Sequence, residues 1–158
     1  MPETWLLSLG ESGLASALRQ SAIGYPLLSS AHILGLGILV GSIVTLDLRM
    51  LNIVKRGRLS ELAPLLSRVA GCGLLLSIVS GLLLFSVQPA HYLDNSAFLL
   101  KLVLVSLALI NVAIVHSLPA WRVLLAGQPA SLLLKFTATV SLLLWLAILI
   151  AGRWIAFV

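Results

Sequence analysis

Four long apolar stretches, separated by short polar breaks, organise the chain. They run from about Tyr25 to Arg49, Pro64 to Val87, Ala97 to Leu118 and Ser131 to Phe157. Each is near or above the ~20 residues a helix needs to cross a bilayer, whereas membrane-spanning strands would show alternating segments of about 10 residues. Proline punctuates them. Pro26 stands in a first helical turn, where its missing N–H costs nothing, Gln88-Pro89 stops the second stretch, and Pro119 ends the third. The pattern predicts an all-α integral-membrane protein, an antiparallel four-helix bundle over residues 25–158.

Residues 1–24 read differently. The segment from 4 to 23 is semi-apolar and broken at Gly10-Glu11-Ser12-Gly13. Trp5, Leu6 and Leu9 share one helical face, and Ser12 is placed to cap a second short helix through Arg19. Too charged to span, this part is expected to lie in the membrane interface as amphipathic helix. Its acidic and glycine-rich start does not resemble a cleavable signal peptide.

Composition narrows the function classes. Of 158 residues, 60% are hydrophobic and 9% charged, against roughly 25% charged in a soluble domain, and the mean hydropathy is +1.14. Too few charges remain to cover a water-soluble enzyme. The net charge of +5 reads as membrane orientation rather than nucleic-acid binding. Arg49, Lys55, Arg56, Arg58, Arg68, Arg122 and Lys135 fall on one side, and only Arg19, Lys101 and Arg153 on the other. Basic residues favour the cytoplasm, so both termini are expected outside, in a bacterial inner membrane. The single cysteine, Cys72, has no partner for an internal disulfide.

Small residues suggest where helices meet. Gly37, Gly41 and Thr45 recur every fourth position in the first span, as do Gly73, Ser77 and Gly81 in the second. Such spacing lets backbones approach closely in lipid, and the expected use is packing of these two spans on each other. The competing use is a homo-oligomer or a membrane partner subunit.

An ionisable group at membrane depth is costly and marks a candidate site. Placed by depth, these residues separate into two layers. The outer layer holds His32, His91, Lys101 and Arg153, with His91 in the short connection between spans two and three. The inner layer holds Asp47, Arg49, Arg68, Asn111, His116 and Arg122. Simpler uses exist for several of them: Lys101 and Arg153 reach headgroups by snorkelling, and Asp47 with Arg68 makes a structural ion pair between spans one and two. His32 and His116 are separated by at least ~15 Å of helical rise, too far to share one iron.

Imidazole is an axial ligand for haem iron, and cations near an aqueous surface pair with carboxylates such as propionates. An apolar bundle supplies walls. His32 with Lys101 and Arg153 therefore suits a b-type haem, with His91 as a possible second ligand. Copper is the alternative, with His32 and His91 as ligands, although Cu(I) prefers the sulfur of Cys and Met and only Cys72, Met1 and Met50 carry it. Phosphate-binding loops, Ser/His/Asp constellations and HExxH patterns do not occur in the sequence.

The run Tyr25-Pro26-Leu27-Leu28-Ser29-Ser30-Ala31-His32-Ile33-Leu34-Gly35-Leu36, with Thr45-Leu46-Asp47-Leu48-Arg49, resembles a bacterial family of small four-span membrane proteins. Tyr92, Asn95, Phe98, Lys101, the Asn111–His116 segment and Ala151-Gly152-Arg153 carry the same resemblance. More distantly, Arg68 through Gly81 and Tyr92 to Lys101 are similar to the membrane domain of copper resistance protein D. The placement of His32 and Lys101 is similar to that in the haem-binding membrane protoporphyrinogen oxidases. That likeness implies a role for these two residues toward a porphyrin. Three functions are thus carried forward: haem binding with electron transfer, copper or small-solute handling at the outer face, and a structural or accessory subunit.

Overall fold

The computed structural model describes residues 13–157, so Trp5, Leu6, Leu9 and the expected Ser12 cap lie outside the described residues. Seven α-helices follow in order: α1 (Gly13–Gln20), α2 (Gly24–Met50), α3 (Leu59–Val87), α4 (Pro89–Asp94), α5 (Ser96–Ser117), α6 (Pro119–Leu125) and α7 (Leu132–Trp154). A single 3₁₀ turn (Ile155–Phe157) closes the described chain. α2, α3, α5 and α7 are long and apolar enough to cross a membrane. The protein is an all-α, multi-pass membrane protein.

Local chemistry explains where the helices begin and end. Asn95 caps α5 by accepting the Phe98 N–H at 3.1 Å, and Ser131 caps α7 by accepting that of Leu134 at 3.3 Å. Pro89 and Pro119 each open a short helix at its first position, of six and seven residues, so the chain stays helical beyond the two breaks. At the end of α6, Gly127 takes φ +92° while Gln128 N–H reaches the Val123 carbonyl, a close available to a residue without Cβ. After α2 the chain turns through Asn52 at φ 62° and Gly57 at φ 78°. Arg49 holds this loop by donating to the carbonyls of Arg56 and Gly57.

α3 begins five residues before the expected Pro64. Its first turn, from Leu59, carries the exposed Arg58–Glu61 ion pair at 3.6 Å. This turn is too polar to register as span, yet it is helical, and Pro64 follows it within α3.

Packing makes α2/α3 and α5/α7 the two close antiparallel pairs, joined where α2 meets α7. α3 and α5 do not close against each other. The spans therefore stand in the order α3–α2–α7–α5, with a cleft along the open edge. α6 crosses back to pack on α3 and floors the cleft at one end, with Trp121 and Leu124 buried there among Leu46, Met50 and Ala63. α1 folds against the other end of α2 and α3, where Arg19 donates to the Val87 carbonyl at 3.1 Å.

Small and polar residues join large ones such as Leu39, Leu134, Trp145 and Ile148 on the inside, while many Leu, Ile and Val face outward. Ser42, Asp47, Ser77, Ser80, Asn111, Thr137 and Ser141 are buried, while Ile33, Leu75, Leu82, Val103 and Leu143 are exposed. That arrangement suits lipid, which solvates apolar side chains as well as a core does and leaves packing and polar contacts to hold helices together.

The α2–α3 seam corrects one expectation. Gly37, Gly41 and Thr45 all face outward, and a Cβ on either glycine would meet nothing within 4 Å. The residues in the seam are Gly35 and Gly73. A Cβ on Gly73 would lie 2.6 Å from the Leu39 amide nitrogen, and one on Gly35 2.9 Å from that of Ser77. The Gly73–Ser77–Gly81 series does face α2 as expected, but its counterpart on α2 is Gly35, on another face from the regular stripe.

Candidate functional site

At the α1 end of the cleft, His32 on α2 meets Ser80 on α3, with Nδ1 and Oγ 3.0 Å apart. The ring sits where Gly81 leaves room, since a Cβ there would come 3.1 Å from His32 Cε1. The direction of the hydrogen bond follows from the next link. Ser80 Oγ lies 2.6 Å from the Leu76 carbonyl, which only accepts, so the single hydroxyl proton is committed to it. Ser80 then accepts from His32, which places the imidazole proton on Nδ1, and the Ser77 carbonyl is a further acceptor for the ring. Nε2 is left with its lone pair.

Lys101 on α5 lies within electrostatic reach of His32. Its ammonium rests over Gly152 of α7, 3.6 Å from where a Cβ would stand. Two of the four expected outer-layer residues, His32 and Lys101, are thereby brought toward one another from opposite walls. Arg153 follows Gly152 but is exposed, its guanidinium 4.8 Å above the Phe157 ring. His91 is exposed on α4, its ring 6.0 Å from that of Tyr92. Among the described residues no three of His, Cys, Asp or Glu group as metal ligands. Cys72 is exposed and Met50 is buried at the far end.

The connection over this end is ordered by aromatic rings and one amide. Phe85, Tyr92 and Phe98 cluster with centroids 5.2–6.1 Å apart. Asn95 both caps α5 and donates to the Ile155 carbonyl at 3.1 Å, tying α5 to the end of α7. Burial pushes the Tyr92 phenol above its ordinary pKa, and the Tyr25 hydroxyl beside it adds to the shift.

Toward α6, the cleft widens into a cavity of about 340 Å³. Asp47 is 3% exposed, faces Ser141 of α7, and leaves Oδ2 without a protein partner. The expected Asp47–Arg68 ion pair is not formed. Arg68 is exposed, one position round α3 from Ser67, which is the residue that lines the cavity. Ser67 Oγ and Trp145 Nε1 are likewise buried without partners, as is Ser77 Oγ higher in the α2–α3 seam. Asn111 is spoken for, donating to the Thr137 carbonyl at 3.2 Å. His116 donates from Nδ1 to the Val112 carbonyl at 2.9 Å, and its ring lies tilted against that of Trp121, centroids 4.7 Å apart.

The chain belongs to DUF6644, a family of unknown function. The family model matches residues 20–158, which takes in all four spans and both ends of the cleft. No curated protein and no solved structure matches the chain. Sequence reasoning found His32, Lys101 and Asp47 because ionisable groups stand out in apolar helices. It missed Ser67, Ser80 and Trp145, whose residue types are common in membrane helices and carry no signal until a neighbour is known.

Proposed function

We propose that this protein binds a b-type haem or porphyrin at the His32 end of the cleft and serves one-electron transfer. The observation that carries the reading is the chain from the Leu76 carbonyl through Ser80 to His32 Nδ1. A metal-binding histidine characteristically donates its second ring N–H to an outer partner, which fixes the tautomer and orients the ring. His32 has such a partner, and its Nε2 is the atom available to iron. Lys101, across the cleft, is the cation for a propionate.

In this reading His32 is the single protein ligand, because His91 is exposed on α4 with its ring beside that of Tyr92. Bound haem would supply reversible one-electron chemistry. The protein's share is to hold Nε2 unprotonated, to orient the ring, to neutralise the propionates and to exclude water. The similarity of the His32 and Lys101 placement to haem-binding protoporphyrinogen oxidases supports the same choice. The basic residues gathered at the opposite end support a cytoplasmic position for the Asp47 end and a plasma-membrane location.

An absorption spectrum of detergent-purified protein, as isolated and after dithionite, tests the proposal. A Soret band with sharpened reduced bands, absent in His32→Ala, is expected. Ser80→Ala should weaken haem affinity by about 10–100-fold, as loss of an outer hydrogen-bond partner does elsewhere. A flat visible spectrum that persists after haem is supplied would overturn it.

A further inference from the structure

The Asp47 end of the cleft has a different chemistry and is more than 20 Å from His32 along α2, about 1.5 Å for each intervening residue. Its walls are apolar, including Leu39, Ile43 and Leu74. Set into them are three polar atoms from three helices: Asp47 Oδ2 on α2, Ser67 Oγ on α3 and Trp145 Nε1 on α7. Asp47 and Trp145 are 3% and 2% exposed. A buried polar group without a partner costs roughly 1–3 kcal/mol, so three around one 340 Å³ cavity are a large outlay for a merely structural bundle. The cavity borders the α3–α5 edge, where the two spans do not close, so entry is sideways from the bilayer.

The donor and acceptor inventory selects the occupant. An indole N–H donates and never accepts, so Trp145 requires an oxygen acceptor on the ligand. It also disfavours a simple cation, toward which an N–H dipole points the wrong way. Asp47 Oδ2 accepts a hydrogen bond from a hydroxyl, and the Ser67 hydroxyl serves either role. We propose that this cavity is a second binding site, for a bilayer-dissolved molecule whose compact head carries both a hydroxyl donor and an oxygen acceptor. A hydroquinone ring has that chemistry. The site depends on α2, α3 and α7 together and does not require haem at His32.

Equilibrium binding of radiolabelled decylhydroquinone to the protein in lipid nanodiscs, kept anaerobic, is the test, with decylbenzene as the oxygen-free control. One saturable site per chain is expected for the quinol and none for decylbenzene. Trp145→Phe, which preserves an aromatic ring and removes the N–H, should weaken quinol binding about tenfold, the scale of one net hydrogen bond. Ser67→Ala gives an independent measure should either larger change impair folding. Asp47→Asn should weaken the quinol but not the oxidised decylbenzoquinone, which has no proton to donate. Absence of a saturable site, equal binding of decylbenzene, or affinities unchanged in both Trp145→Phe and Ser67→Ala would overturn the proposal. None of these readouts depends on the visible absorption that tests the His32 end.

Discussion

The two ends of the cleft are built from the same four spans and solve the cost of burying polar atoms in opposite ways. At the His32 end the protein satisfies the imidazole N–H: Ser80 accepts from Nδ1 and donates onward to Leu76, leaving Nε2 and, one turn down α3, the lone hydroxyl of Ser77. At the Asp47 end the carboxyl oxygen, the indole N–H and the Ser67 hydroxyl are buried together without protein partners. A completed network positions one atom for a strong, directional bond. An incomplete one holds its capacity for something that arrives from the membrane. A residue's polarity therefore says less about its task than whether its hydrogen bonds close within the protein.

The sharpest way to break the comparison is to part the seam on which both ends depend. Gly73→Leu drives side-chain atoms into the Leu39 backbone, where even a Cβ would stand only 2.6 Å from the amide nitrogen. It should destabilise by about 3 kcal/mol or more, at the upper end for overpacking. Gly41→Ala, on the outward stripe with open space around it, should change stability by less than about 0.5 kcal/mol. Thermal unfolding in detergent measures both, and equal effects would refute the assignment of the seam.

A matched pair of serine deletions probes the difference between the ends directly. Ser80→Ala leaves the His32 N–H with the Ser77 carbonyl alone and should cost about 1 kcal/mol, the scale of one net hydrogen bond. Ser67→Ala removes a hydroxyl that has no partner and should be neutral or slightly stabilising in the ligand-free protein. If the two cost the same in denaturant unfolding, the ends do not differ as described.

Asn95→Ala should follow at about 1 kcal/mol, the scale of a lost helix cap. Its second bond, to Ile155, joins α5 to the end of α7, so faster amide exchange should appear at residues 155–157 as well as in the first turn of α5. Exchange confined to α5 would show that the tie to Ile155 contributes nothing.

The smallest effect concerns the connection over the His32 end. Because the fold raises the Tyr92 pKa, through burial and then Tyr25, it favours the neutral phenol. That contribution is complete below the ordinary tyrosine value of about 10 and is lost as pH rises through the raised one. Unfolding midpoints should fall across that alkaline range, and less so in Tyr92→Phe. A tyrosinate absorbance titration should show a late-ionising component that disappears in Tyr92→Phe.

Much of this architecture could be read from residue order. The four spans, the breaks at Pro89 and Pro119 and the depth of His32, Lys101 and Asp47 all follow from counting. Rotation of each helix about its axis did not. These helices are apolar nearly all round, so no hydrophobic face announces which side turns inward. The regular Gly37–Gly41–Thr45 stripe was the visible signal, yet α2 turns Gly35 to its neighbour. Arg68 was within reach of Asp47 by depth, but it stands on the outward side of α3 while Ser67 faces the cavity.

Span number and residue depth are one-dimensional quantities, set by bilayer thickness and helical rise, and the chain carries them in its order of residues. Which side chains meet is settled by close contact between backbones and by which polar atoms find partners, and both depend on residues from other helices. That Ser80 completes His32, that α3 and α5 leave an open edge, and that Asp47, Ser67 and Trp145 share one cavity were therefore decided only when the four spans packed.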